Sequence, residues 1–299
     1  MPLETSETGA LDHAASVFLS VRPRLFGIAY RMLGSASEAE DLVQDVWLKW
    51  QLTDRSKVLE PPAFLSTMTT RLAINVVQSA RVQRETYIGP WLPEPVDTST
   101  DPELGAARGE ALQLAVLLLL EKLTPTERAS YVLREAFDYS YREIADILQL
   151  SEANTRQLVT RARKHIADER RTAVSSIEQR RLLETFLSAA QQGNISALEG
   201  LFAADVVSYS DGGGVARAAR IPVAGRERVA SFIASFASHY WTGVTTQWTE
   251  ANGQPSALFV RDGVAFASAT IDASPEGIYQ ILWMLNPAKL GALSQSSRA

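Results

Sequence analysis

Residues Tyr141–Ile166 read YREIADILQLSEANTRQLVTRARKHI, and this run admits one compact arrangement, two helices meeting at a tight joint. Ser140 is placed to cap the first helix and Glu143 to reach back to it, a capping box. Ile144, Ala145 and Leu148 then share a face. Ser151 is placed to cap the second helix, in which Leu158, Val159, Ala162 and Ile166 form an apolar stripe. The opposite side of that helix carries Asn154, Arg156, Gln157, Thr160, Arg161, Arg163 and Lys164. A docked helix pair presenting cations and amides from its second member is the helix-turn-helix arrangement for a DNA major groove. Arg and Gln can bond base edges bidentately, while Lys and the remaining Arg neutralise phosphates. The spacing equally admits an ordinary helical hairpin with a solvated basic face, so the neighbouring sequence must decide.

Charge sharpens the choice. The 299-residue chain has a net charge of −5, which excludes a general polyanion-coating role. Yet Ala153–Arg171 holds six cations (Arg156, Arg161, Arg163, Lys164, Arg170 and Arg171) against Asp168 and Glu169. A basic face confined to one element of an acidic protein points to local DNA contact assisted by a partner. The absence of cysteine excludes disulfides, thiol nucleophiles and Cys-ligated zinc. His13, His165 and His239 are too scattered for a histidine metal site, and no metal or cofactor is expected. The N-terminal residues lack the basic and apolar regions of a secretory signal. The apolar run Ala111–Leu120 falls well short of the roughly 20 residues that span a bilayer. A soluble, cytoplasmic protein with no membrane contact is expected.

The chain divides into segments at 10–86, 87–104, 105–172 and 176–293. The first reads as wholly helical. Leu11–Leu33 forms a helical pattern interrupted near Pro23 and ended by Gly34. Ser37 and Glu40 suggest a capping box for a helix through about Gln51, striped by Leu42, Val43, Val46, Trp47 and Trp50. Its Glu38, Asp41 and Asp45 share an outward acidic face. After Pro61-Pro62, a further helix is striped by Phe64, Met68, Leu72 and Val76. Residues 87–104 form a Pro-rich linker containing WLPEP, Trp91–Pro95, expected to be extended. The third segment opens with a helix near Arg108–Lys122, and Thr124, Pro125 and Glu127 start the next. Residues 176–293 mix helices at Arg181–Gln191, Ser196–Ala204 and Arg226–Ala237 with strands at Val206–Ser210, Val244–Thr249, Ala257–Arg261, Val264–Ile271 and Ile278–Leu285. The fold class is therefore multidomain: two all-α domains and an α+β domain with a curved antiparallel sheet.

Three further stretches join the helix pair: AEDLVQDVWLKW (Ala39–Trp50), PAFLSTMTTRLAINVV (Pro62–Val77) and LTPTERASYVLREAFDYSYREIADIL (Leu123–Leu148). In their order and spacing, with Arg161–Arg163, they resemble bacterial RNA polymerase sigma factors of the extracytoplasmic-function class. WLPEP, DGGG (Asp211–Gly214) and NPAKL (Asn286–Leu290) further resemble the group with a fused SnoaL-like C-terminal domain. The resemblance implies that 10–86 is sigma region 2 and 105–172 is region 4. Glu38, Asp41 and Asp45 would meet the β′ subunit of the polymerase core. Arg71, Asn75, Gln78, Arg81 and Arg84 would capture unstacked bases of the −10 element. The segment VVQSARVQRE is less basic than is usual there, implying a weaker phosphate grip. Asn154–Lys164 would read the −35 element.

The C-terminal domain would regulate the factor through Trp91, Leu92, Pro93, Asp211, Gly212, Gly213, Gly214, Asn286, Pro287 and Leu290, taking the place of a separate anti-sigma factor. Glycines in DGGG would let a turn press closely on another domain. Family members often carry Lys after DGGG and Asp within the NP-x-KL motif. Val215 and Ala288 stand there instead, so no charged latch is expected at those two positions. Two rivals remain, a stand-alone helix-turn-helix regulator with a ligand-sensing domain and a cyclase-like enzyme fused to a DNA-binding segment. The first leaves the region 2 helices without a task. The second lacks an acid–base pair that spacing brings together among Asp205, Tyr209, Asp211, His239 and Tyr240.

Overall fold

A computed structural model describes residues 4–84, 86–98, 113–169 and 171–295, apart from the side chains of 4–11, 80–84 and 294–295. The chain forms two compact units. Within the described residues, 4–82 and 119–168 make the first, and 83–98, 113–118 and 169–295 make the second.

The first unit is helical throughout. Helix α1 (Glu4–Leu33) passes through Pro23 without stopping, where the sequence suggested an interruption. A helix-interior proline costs about 3 kcal/mol. Here Ala14 and Phe18 before it and Leu25, Ile28, Ala29, Met32 and Leu33 after it are all buried, and their packing outweighs that cost. Gly34 ends α1 at φ 68°. Helix α2 (Ala36–Leu52) is capped by Ser35, whose hydroxyl accepts from the Glu38 amide. The expected cap at Ser37 lies inside the helix, because the turn at Gly34 leaves Ser35 as the extended residue. Trp50, almost fully buried, donates its indole N–H to the Ala14 carbonyl at 3.1 Å and ties α2 to α1.

Helix α3 (Pro61–Arg84) buries a stripe one residue away from the expected one. Leu65, Thr69, Ala73 and Val77 are buried, whereas Phe64, Met68, Leu72 and Val76 are half-buried. The buried hydroxyls explain the shift. Thr69 and Thr70 donate to the carbonyls of Leu65 and Ser66, four residues back, and so enter the core satisfied. An apolar-only reading discards them.

Helices α4 (Leu114–Leu120), α5 (Pro125–Phe137), α6 (Tyr141–Leu148) and α7 (Glu152–Glu169) follow. The expected helix start near Arg108 lies outside the described residues. Thr124 and Glu127 form the capping box at the start of α5. Its buried Arg128 donates to the Met32 carbonyl at 2.6 Å and pairs with Glu121 at 2.7 Å. Arg31 is also buried, which lowers its pKa to about 10, and its guanidinium lies over the Phe137 ring. These bonds join α1 to α5 through charged groups inside the core.

The second unit holds helices α8 (Ser176–Gln192), α9 (Ile195–Leu201), α10 (Arg226–Ala234) and α11 (Gly291–Gln295). Its strands are β1 (Phe202–Asp211), β2 (Val223–Ala224), β3 (Val244–Ala251), β4 (Gln254–Arg261), β5 (Val264–Ser274) and β6 (Gly277–Met284). They form one sheet in the order β2-β1-β6-β5-β4-β3. The sheet is mixed rather than wholly antiparallel, since β1 runs parallel to β6. The expected helix over Ser196–Ala204 ends at Leu201, where the chain enters β1 four residues early.

The sheet has two unlike faces. One, with Val206, Phe259, Ala267, Ala269, Ile271, Ile281 and Trp283, packs under Leu183, Phe186, Leu187 and Val229 of α8 and α10. On the other, Ser256 and Thr270 share a 2.7 Å hydrogen bond and Gln254 donates to Asp272 at 2.8 Å. Leu92, Pro93 and Pro95 of the linker line that face with Ser268, Thr270, Leu282 and Met284. The remaining cavity is about 10 Å³, the room for one water.

Arg128→Leu removes the partner of a buried carbonyl and of Glu121, and should cost the first unit about 2–3 kcal/mol. Urea unfolding of the full chain measures this, and an unchanged first transition would show that the buried bonds stabilise nothing.

Candidate nucleic-acid interface and linker clasp

The α6–α7 pair is built as its residues dictate. Ser140 and Glu143 complete the capping box of α6, and Gln149 closes the helix in the left-handed conformation at φ 55°. Ser151 accepts from the Asn154 amide at 3.2 Å and starts α7. Thr155, Leu158, Val159, Ala162 and Ile166 are buried, leaving Asn154, Arg156, Gln157, Thr160, Arg161, Arg163 and Lys164 exposed.

These exposed groups differ in their freedom. Arg163 grips Glu135 of α5 with two bonds of 3.0 and 2.7 Å, which raises its pKa. Arg161 pairs with Glu127 at 3.3 Å. Both arginines therefore brace α7 against α5. Arg156 pairs with Glu152 on its own helix at 2.5 Å. Among the described residues, the side chains of Gln157 and Lys164 make no hydrogen bond or ion pair. Of the other counted cations, Arg170 lies outside the described residues, and Arg171 pairs with Asp205 and Glu276 in the second unit.

On α3, Arg71, Asn75 and Gln78 are exposed along one stripe. Arg71 is already engaged: its Nε donates to the Ile147 carbonyl at 2.9 Å, at the C-terminal end of α6. Helix C-terminal carbonyls carry partial negative charge, so a guanidinium is favoured there. Arg81 and Arg84 fall on the last turns of α3, and their side chains lie outside the described part. On α2, Asp41 and Asp45 are exposed while Glu38 is half-buried, so the expected acidic face narrows to two open carboxylates. The loop before α3 holds a short 3₁₀ turn, Arg55–Lys57. Asp54 caps it, accepting from Ser56, and that bond with Lys57 holds the Asp54 pKa below its ordinary value. Leu52 and Leu59 flank this turn, 88% and 93% exposed.

In the second unit the linker is clamped at both ends. Asp211, fully buried at the end of β1, accepts from the Tyr87 hydroxyl at 2.5 Å and the Gly213 amide at 3.0 Å on one oxygen. Its other oxygen accepts from the Leu92 amide at 2.9 Å and from Lys289 at 2.8 Å. Lys289 also donates to the Leu92 carbonyl at 2.6 Å and lies over the rings of Trp91 and Tyr87, at 4.3 and 5.2 Å. Asn286 donates to the Tyr87 hydroxyl at 3.0 Å. Burial and the Asp211 bond push the Tyr87 pKa upward. At the far end, Val96 and Asn252 exchange bonds of 3.0 and 2.9 Å, and Asp97 bridges to Ala251. Residues 92–98 are all buried.

The glycines of DGGG have a specific task. Gly213 sits at φ 62°, and a Cβ there would come within 2.5 Å of Asn286; one on Gly212 would meet the Ala216 carbonyl at 2.4 Å. The turn thus presses on Asn286 and, at Gly214, on Ile88 of the linker, all within the second unit. Leu92, Asn286 and Leu290 are buried, whereas Pro287 is exposed. A charged latch does exist, although Val215 and Ala288 do not make it: Lys289 within NPAKL supplies the cation. Spacing alone could not single out Tyr87, Asn252 or Lys289, because their partners lie 124, 156 and 78 residues away. The acid–base candidates do not converge. Asp211 is bound to the linker, Asp205 to Arg171, and His239 is exposed beside Phe236. Tyr240 buries its hydroxyl without a partner.

Comparison with known proteins accounts for this arrangement. The family model for Sigma-70 region 2 matches residues 17–82, and that for Sigma-70 region 4 matches 113–166. The ECF RNA polymerase sigma factor SigJ of Mycobacterium tuberculosis is 33% identical over 249 residues, covering 81% of this chain and 80% of that protein. A probable ECF sigma factor of the same species, SigI, is 28% identical over 288 residues, covering 94% of this chain and 96% of its own. The crystal structure of M. tuberculosis SigJ superposes with a TM-score of 0.74 at 30% identity, over 93% of this chain and 98% of that one. Among the described residues no helix is long and apolar enough to cross a membrane. Sigma factors bind RNA polymerase core and promoter DNA to start transcription and are not enzymes. The chain belongs to the extracytoplasmic-function RNA polymerase sigma factors.

Proposed function

We propose that this sigma factor contacts core polymerase through Asp41 and Asp45 with Glu38 at their edge, captures −10 bases with the α3 stripe around Asn75 and Gln78, and reads the −35 element with the N-terminal half of α7. Region 2 spans about 10–86 and region 4 about 105–172 in this reading, and the protein works in the cytoplasm. The observation that carries it is the outward row Arg156, Gln157 and Thr160 on a helix whose inner stripe is fully docked. Such a row has the residue types and the position of a major-groove reader.

Regulation by the C-terminal domain (176–293) follows from chain connectivity. At about 3.4 Å per base pair, −10 and −35 elements lie on the order of 80 Å apart. A folded unit of about 130 residues has a radius of gyration of only about 14 Å. The bonds Arg71–Ile147 and Arg128–Met32 hold α3 and α1 against α6 and α5, and must open for both elements to be reached. The linker joins α3 to α4, and its free length sets how far they can part. Clamping 92–98 between Asp211 and Asn252 shortens that free length. The SnoaL-like domain therefore governs the opening itself, and no separate anti-sigma factor is required.

The direct test is promoter-dependent transcription by purified core polymerase with the full chain. No core-dependent transcript from any member of a promoter library, with either the full or the C-terminally trimmed protein, would refute the assignment of roles above.

Asp211→Asn and Lys289→Met each break a buried charge pair, worth about 3–5 kcal/mol when one partner is removed. Protease cleavage within 86–98 should rise on the order of a hundredfold, and transcript yield should change at least severalfold. Unchanged cleavage and yield in both variants would rule out the clasp as a regulator.

A further inference from the structure

Arg156 is the one exposed arginine of α7 whose ion pair stays within its own helix. Its guanidinium also lies over the Tyr141 ring, 4.9 Å from the centroid. Arg134 of α5 lies over the same ring, also at 4.9 Å, and its Nη1 donates to the Tyr139 carbonyl at 2.8 Å. Tyr141 is the first residue of α6, fixed by the capping box that begins one residue earlier. The ring is thus held by the first helix of the motif, and it offers a surface to a side chain of the second. Glu152 accepts a hydrogen bond from Arg156 Nη2 at 2.5 Å, while the Arg156 carbonyl accepts from Thr160. One face of the guanidinium is covered and one edge is tied, yet the side chain remains 61% exposed.

A long arginine normally loses rotamer freedom when it contacts a base, which weakens the contact. Held between an aromatic face and a carboxylate, it loses much less. A guanidinium has five N–H donors, and Glu152 uses one of them. The donors left over suffice for a bidentate bond to guanine O6 and N7, the commonest specific arginine–base contact in a major groove. The position fits as well, since the N-terminal residues of a recognition helix meet base edges. Glu152, one turn earlier, can accept from a cytosine N4 amino group, the pairing that major-groove geometry assigns to Glu.

Resting on the reading of α7 as the −35 helix, we infer that Arg156 reads a guanine in the −35 element and that Tyr141 is a positioning residue for it, with Glu152 tying the second edge. Arg161 and Arg163 differ in that their ion pairs run back to Glu127 and Glu135 of α5, away from a partner on their own helix.

The test is transcription by core polymerase with the full-length protein on a promoter library randomised across the −35 element, read by sequencing the transcripts. The wild type should favour guanine at one position. Arg156→Lys, which keeps the charge but loses the bidentate fork, should lower that preference about tenfold and leave the other positions unchanged. Tyr141→Phe should retain the preference, and Tyr141→Leu should lower it about two- to fivefold at that position alone. A preference that survives Arg156→Lys would overturn the assignment of Arg156 to a base. If Arg156→Lys acts as stated but Tyr141→Leu matches the wild type, or lowers all positions equally, the positioning role of Tyr141 is wrong. No selection at any −35 position by the wild type would refute the underlying reading of α7 as well.

Discussion

A carboxylate with no exposed surface organises the C-terminal unit. Burying an ionised Asp211 would be prohibitive without compensation. Its two oxygens receive hydroxyl, amide and ammonium donors from Tyr87, Gly213, Leu92 and Lys289. Two of those four donors belong to the segment joining the sigma regions. The linker thus supplies half of the donors to the domain's buried charge. That coupling distinguishes a clasp from a passive contact. Release of 87–98 leaves Asp211 and Lys289 with each other but strips the carboxylate of two bonds, those from Tyr87 and Leu92.

The same logic explains the second face of the sheet. Three helices cover the apolar face, and none of them reaches the face bearing Ser256, Ser268, Thr270 and Asp272, which Leu114 of α4 meets. A strap of Leu92, Pro93 and Pro95 covers it instead, leaving room for a single water. Proline suits this role, because an extended segment laid across a polar sheet has few partners for its own amides and proline removes two of them. Among the described residues this face holds the linker and gathers no acid–base constellation.

Much of this was legible in the sequence, and the misses have physical causes. The capping boxes at Thr124 and Ser140, the two-helix motif and five of the six described strands of the C-terminal sheet, all but the short β2, followed from local rules that act over three to eight residues. The stripe on α3 was misplaced because Thr69 and Thr70 satisfy their hydroxyls within the helix and behave as core. The parallel pairing of β1 with β6 was invisible to strand patterns, which carry no direction. The motifs WLPEP, DGGG and NPAKL could be recognised as landmarks, but not Lys289 as the cation that unites them. Its partner lies on a strand 78 residues away, and only the closed fold brings them together.

Sequence alone also treats all cations of a helix as equal, and the fold separates them. Arg161 and Arg163 are anchored to carboxylates of α5, which fixes the height and roll of α7 on its support. Arg156 lies over the Tyr141 ring and pairs with Glu152 of its own helix, and Lys164 stands clear among the described residues. Structural arginines thus set the geometry, a braced arginine suits base contact, and a free lysine suits phosphate. In region 2 the same type of residue is placed differently: Arg71 closes α3 onto the carbonyl end of α6. A side chain that bonds a helix terminus in the compact state can bond a phosphate only after that contact breaks. Arg71 thereby ties residues matched by the region 2 model to residues matched by the region 4 model within the first unit.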